Sequence, residues 1–170
     1  MNPAFLGDSY DLVKRFFAQE LRLLQYEVAV DPLFTGDWSG EEDSFLRLIG
    51  AKHRKDVTGN TDRTALFLDP DTGVKDRATR QHVSYEHLAI EANTYKLVFA
   101  FDQSFSRQGS AREAMSTKLQ ALTTLGLSAL YYDSHARFLF ASRQPQAVYE
   151  LRTHLEIIGI PSRRLIAGDA

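Results

Sequence analysis

Four segments of this chain share one arrangement, a short apolar run that closes on an aspartate: YEVAVDP at Asp31, ALFLDPDTG at Asp69 and Asp71, LVFAFDQS at Asp102, and SALYYDSH at Asp133. Apolar runs of this length suit strands covered on both faces. Segments with helical spacing lie between them, and strands alternating with helices fold as a mostly parallel sheet with right-handed crossovers. The chain is therefore expected to be an α/β protein with helices on both sides of the sheet. If the runs are neighbouring strands, their carboxylates meet at the C-terminal edge, where open α/β sheets bind ligands.

The order of elements follows from caps and spacing. Asp8 can cap a helix carrying Leu12, Val13, Phe16, Phe17, Leu21 and Leu24. A strand over 26–30 leads to Ser39-Gly40-Glu41-Glu42, a capping-box pattern, and to a helix that stops at Gly50. Residues 51–63 are polar and read as an exposed connection. A strand over 64–68, a charged loop over 73–81, a helix over 84–93 and a strand over 95–101 follow. A second capping box at Ser110 and Glu113 opens a helix that runs to Gly126. The runs 128–132 and 137–141 flank a four-residue polar turn and predict an antiparallel C-terminal hairpin. Pro145 suits the first turn of the last helix, and 164–167 predicts an edge strand.

Length and charge narrow the function classes. A chain of 170 residues suits one domain, 1–170, with a sizeable core. Its formal net charge of -2 supplies no global basic field, so contact with nucleic acid would need a local patch. Without cysteine there is neither a disulfide nor a thiolate nucleophile. No basic-then-apolar leader and no long apolar run stands in the sequence, so a cytoplasmic location without a membrane partner is expected.

The densest polar feature is Asp69-Pro70-Asp71-Thr72-Gly73. Two carboxylates two residues apart, just past a strand, can bind Mg²⁺, a hard cation that takes oxygen ligands. The same five residues are also a good turn sequence, in which Asp side chains bond nearby backbone and Gly supplies positive φ. On the first reading Asp69, Asp71 and Asp31 are the metal ligands, and Asp69, Asp71 and Asp102 the catalytic candidates. Arg77 and Arg107, in loops after the aspartates, would join Asp31 in holding a cofactor or a phosphate, and the partner would be a nucleotide or nucleic acid. His82, Glu86 and His87 lie close in sequence but do not share a helix face. His135, beside Asp133, would be a general base if its turn reaches the carboxylate edge. Leu33, Phe34 and Trp38 form the segment that would serve a non-catalytic interaction surface.

The run ALFLDPDTGV resembles the first motif of haloacid-dehalogenase-type phosphatases, which implies Asp69 as nucleophile and Asp71 as its partner; Gly73 stands where that family has Thr or Val. The opening Gly7-Asp8-x-x-Asp11-x-x-Lys14, together with the strand ending in D-P-D-T-G, resembles an uncharacterised bacterial family with a G-D-x-x-D-x-x-K start and a DPDNG-like motif. The same layout is similar to the adenine methyltransferases of ribosomal RNA. That likeness implies a Rossmann-like three-layer sandwich and, for an active member, S-adenosylmethionine as cofactor. The chain departs from it after the first strand, where Asp31-Pro32-Leu33-Phe34-Thr35-Gly36 replaces a glycine-rich loop, and at Asp71-Thr72, where a Pro-Tyr pair would stand. Three readings follow: a Mg²⁺-dependent hydrolase of nucleotides or nucleic acid, a methyltransferase-like domain, and a non-catalytic interaction protein.

Overall fold

The computed structural model describes residues 3–58, 61–105 and 109–168. The first helix, α1 (Ser9–Leu23), starts where expected: Asp8 accepts from the backbone N–H groups of Tyr10 and Asp11. Then come β1 (Glu27–Asp31), α2 (Glu42–Ile49), β2 (Lys52–His53), β3 (Thr64–Leu68), β4 (Gly73–Lys75), β5 (His82–Ser84), α3 (Tyr85–Glu91) and β6 (Leu97–Phe101). The chain continues with α4 (Ala111–Thr124), β7 (Ser128–Tyr132), β8 (Phe138–Ser142), α5 (Pro145–Ile157) and β9 (Leu165–Ala167).

Seven strands form one mixed sheet in the order β2-β1-β3-β6-β8-β7-β9. The first four are parallel, and the last three join them through antiparallel pairings. The sheet is thus evenly mixed rather than mostly parallel. The short turn after β7 forces β8 to run back, and β8 inserts between β6 and β7 instead of lying at the edge. β7 consequently points the same way as β6. Helices cover both faces: Phe17, Phe45 and Leu151 of α1, α2 and α5 pack on one, and Leu88 and Leu119 of α3 and α4 on the other. Among the described residues no helix is long and apolar enough to cross a membrane.

Three local details differ from expectation. Ser39 does not cap α2 but bonds Asp37, and the helix begins two residues later, at Glu42 with Glu41 in the cap position. Within 51–63, Lys52 and His53 pair with β1 as a parallel edge strand. The charged loop after β3 is bounded by β4 and β5, a separate parallel pair.

Gly73 explains why that pair sits where it does. Its φ is +141°, and an added Cβ would lie 2.1 Å from Oδ1 and 2.8 Å from Cα of Asp102. Only the missing side chain lets the segment after Asp71 close onto the end of β6, where Val74 donates to Asp102 and Gln103 donates to the Thr72 carbonyl. Gly73→Ala should therefore cost more than about 2 kcal/mol, from combined clash and strain. Gly40→Ala, at φ +84° with nothing within 4 Å, should lose only about 1 kcal/mol. Urea unfolding of the two variants beside the parent checks the difference.

Candidate functional site

Asp31, Asp69, Asp102 and Asp133 all reach the C-terminal edge of the sheet, but alternation divides them. Asp31 stands opposite Leu68, and Leu68 opposite Ala100, so Asp31, Leu68, Ala100 and Asp102 share one parity. Side chains alternate along a strand. Leu68 and Ala100 belong to the core under α3 and α4, so Asp31 and Asp102 turn to that face, and Asp69 turns to the face of α1.

On the α3/α4 face each aspartate has a cation of its own. Arg54 donates to Asp31 at 2.9 Å and grips Glu91 with two bonds of 2.9 and 3.0 Å, its guanidinium over the Tyr95 ring. Asp102 is fully buried and saturated. Its Oδ1 accepts from the backbone of Val74 and Ser104 and from the Ser104 hydroxyl, and its Oδ2 from Lys118 at 2.6 Å and from the Tyr131 hydroxyl. Burial, only partly offset by Asp102, lowers the pKa of Lys118; burial and then Asp102 push the Tyr131 phenol well up. Asp133 pairs with Arg137 at 3.3 Å.

On the α1 face the arrangement is different. Gly7, at φ +86°, turns the chain so that its N–H reaches Asp11 Oδ2 at 2.8 Å. One turn on, Lys14 Nζ lies 2.9 Å from Asp11 Oδ1 and 2.9 Å from Asp69 Oδ2, between the rings of Phe45 and Phe101. All three are buried: Asp11 and Asp69 are 1% exposed and Lys14 4%. Asp69 Oδ1 is a buried oxygen with no hydrogen-bond donor among the described residues. Burial pushes the Asp69 carboxyl up, against the pull of Lys14; burial opposes the Lys14 ammonium, but Asp69 and Asp11 outweigh it and raise its pKa.

Above this triad lies a cavity of about 260 Å³ lined by Asp8, Tyr10, Asp11, Lys14, Asp69, Pro70, Asp71, Phe101 and Gln103, with Phe5 at its mouth. The hairpin turn does reach it: Tyr10 hydroxyl and His135 Nε2 are 2.9 Å apart, and the Gln103 amide donates to the His135 carbonyl. The edge thus brings Asp69 and Asp71 to one cavity and holds Asp31 and Asp102 in separate ion-pair centres. Arg77 is exposed in the loop between β4 and β5, and Arg107 lies outside the described residues. Among the described residues no group of three or more His, Asp or Glu is placed to hold a metal ion.

Two neighbouring segments also find their places. Trp38 is buried and stacks on Phe34 at 4.2 Å, with both rings edge-on to Phe45 of α2, so the loop after β1 is filled by its own aromatics. His82 bonds Thr79, and His87 lies 3.5 Å from Glu91.

Sequence reasoning assigned no role to Asp11 and Lys14, although both stand in the G-D-x-x-D-x-x-K motif. The available signal was their spacing. Asp11, Lys14, Phe17, Ala18 and Leu21 form the buried stripe of α1, whereas Leu12, counted as apolar face, is 57% exposed. A lysine on the buried stripe of a helix needs a buried carboxylate partner.

Removing Lys14 strands two buried carboxylates, so Lys14→Met should destabilise the fold by about 3–5 kcal/mol. Asp69→Asn should behave oppositely. Because the folded-state pKa of Asp69 lies above the ordinary value of 3.8, the folded chain binds that proton more tightly than the unfolded one. The parent therefore loses stability as pH rises from about 3.8 through the raised value, and Asn, which does not titrate, does not. The stability difference in favour of Asp69→Asn should grow as pH rises above about 3.8, in urea unfolding followed upward from pH 4.

Comparison of the chain with protein-family models, with curated proteins and with solved structures gives no match.

Proposed function

We propose that the chain is a Rossmann-like α/β protein whose working site is the cavity above Asp11, Lys14 and Asp69, and that it binds a small ligand there with Asp69 as the acid–base group. One observation carries this reading: Asp69 lines the cavity, and its buried Oδ1 lacks a donor among the described residues. A buried acceptor left without a donor costs free energy, and a ligand N–H or O–H would recover it if Asp69 turned that oxygen toward the cavity. A carboxyl with a raised pKa beside an ammonium is also suited to exchange a proton with that ligand. Lys14 would fix the orientation of Asp69, and Tyr10, held by His135, would provide a hydroxyl at the wall. The position at the carboxyl ends of parallel strands is where open α/β sheets bind ligands.

A second reading keeps Asp69 and Asp71 as ligands of Mg²⁺ in a phosphohydrolase acting on nucleotides or nucleic acid, and it is supported by both residues lining one cavity. Asp31 and Asp102 would then serve structure, each having its own cation. For S-adenosylmethionine the support is weaker, because the segment after β1 is occupied by Phe34 and Trp38.

The first reading predicts that fragments from a small-molecule screen shift the amide resonances of Tyr10, Asp71 and Gln103, that Asp69→Asn removes these shifts, and that Asp31→Asn keeps them. A screen in which those resonances never move would sink it. The metal reading predicts a rise in thermal midpoint with Mg²⁺ or Mn²⁺ that is lost in the double variant Asp69→Asn/Asp71→Asn, because a ligand of the native state alone stabilises it. Unchanged midpoints in both proteins would remove that reading.

A further inference from the structure

Asp69 is poorly placed to trade protons with solvent, because the residue is 1% exposed and its Oδ1 is buried. A second pair of proton-bearing groups stands at the wall of the same cavity. Tyr10 lines it, and the Tyr10 hydroxyl lies 2.9 Å from Nε2 of His135, an exposed residue outside the lining. The two are 125 residues apart, so only the tertiary fold brings them together.

Neither residue needs this contact to hold its place. The hairpin turn is fastened by its backbone and its neighbours: the Asp133 N–H donates to the Arg164 carbonyl at 2.7 Å, Ser134 Oγ to the Ala136 carbonyl at 2.7 Å, and the Gln103 amide to the His135 carbonyl. Tyr10 is seated by its ring, edge to face on Phe101 at 5.3 Å. A hydrogen bond between partly solvated side chains adds little net stability. The imidazole is thus free to serve chemistry. Its Nε2 meets the Tyr10 hydroxyl, and its Nδ1 has no hydrogen-bond partner among the described residues. An imidazole that binds a proton at one nitrogen and releases one from the other can join a hydroxyl to water.

We propose, resting on the reading of this cavity as the working site, that Tyr10 is its second proton-exchanging group, that His135 orients the Tyr10 hydroxyl and connects it to solvent, and that the ligand presents a hydroxyl to Tyr10. The ligand O–H donates to the Tyr10 oxygen, and the Tyr10 O–H donates to His135 Nε2. When a proton moves, the ligand O–H bond breaks and a new O–H bond forms on Tyr10, while the Tyr10 proton passes to Nε2. The resulting imidazolium gives its Nδ1 proton to water. Run backwards, the same steps protonate the ligand oxygen. The ligand class is therefore a phenol, enol or alcohol on an apolar body that rests along Tyr10 and Phe101.

The test titrates the unmodified chain, carrying nitrogen-15 in its histidines and amides, with phenol and with anisole, which has a similar apolar body but no O–H. The amides of Tyr10, Asp71 and Gln103 report binding at the cavity, and the imidazole nitrogens of His135 report the relay. In the free chain Nε2 should resonate as the bare nitrogen and Nδ1 as the protonated one. Phenol should bind at least about threefold more tightly than anisole and move the Nε2 resonance, whereas anisole should move the cavity amides alone. In Tyr10→Phe, phenol should still move the Asp71 and Gln103 amides, but its advantage over anisole and its effect on His135 should vanish. In His135→Gln, which can accept the Tyr10 hydrogen bond but not a proton, the advantage should shrink. Phenol and anisole binding equally at the cavity, or phenol binding there with His135 unmoved, would overturn the relay and leave the cavity standing as the working site. Failure of both probes and every screened fragment to move those amides would overturn both. The phenol and anisole comparison needs no variant, so it decides the matter even if Tyr10→Phe fails to fold.

Discussion

A carboxylate at the end of a strand covered on both faces has nowhere to go but into the protein, and alternation along the strand decides which side receives it. This constraint organises the structure. The pairing of Asp31 with Leu68 and of Leu68 with Ala100 sends Asp31 and Asp102 under α3 and α4 and sends Asp69, one residue later in phase, under α1. Each face must then bring a cation to a fixed point on the sheet edge, and the elements that bring it are held there by the same contact.

Arg54 ties the segment after β2 to α3 through Asp31 and Glu91. Lys118 ties α4 to β6 and, through the Val74 carbonyl, to β4. Lys14 ties α1 to the end of β3. Buried pairs of this kind add little net stability, because desolvation offsets much of their attraction. Their contribution is position: a helix slid by one turn would strand a charge, which costs several kcal/mol even where the apolar packing could adapt. The apolar cores on the two faces supply the driving force, and the ion pairs select the register in which it is used.

Most of the fold was legible in the chain because its strongest elements announce themselves locally. Residues 64–68 form a strand buried at every position, Gly50 closes α2 in the left-handed conformation, and Ser110 caps α4 through the Glu113 N–H. What was missed is short and polar. β2 has two residues, and β4 and β5 have three each, so none carries a period that a sequence can display. The candidate site was legible only in part. That the four aspartates reach one edge follows from topology, but whether their side chains meet depends on inter-strand register, a property of pairs of segments that no single segment contains. Lys14 was hidden in a different way, as a charged residue on a stripe read for its apolar members.

The contrast between Asp102 and Asp69 is the most informative feature of this edge. They end neighbouring strands, both are buried, and each has a lysine from a helix beside it. Around Asp102 the fold closes the centre completely, with five donors on two oxygens drawn from four residues. Asp69 has a single donor among the described residues, Lys14, and that lysine is shared with another acid. A chain able to saturate one carboxylate so fully, a strand away, is not short of donors; an asparagine at 69 or an arginine at 14 would relieve the imbalance with ordinary side chains. Local rules of stability are commonly broken at functional sites, and the buried oxygen of Asp69, beside an aromatic, acid-lined cavity and without a donor among the described residues, is a point at which this fold departs from them.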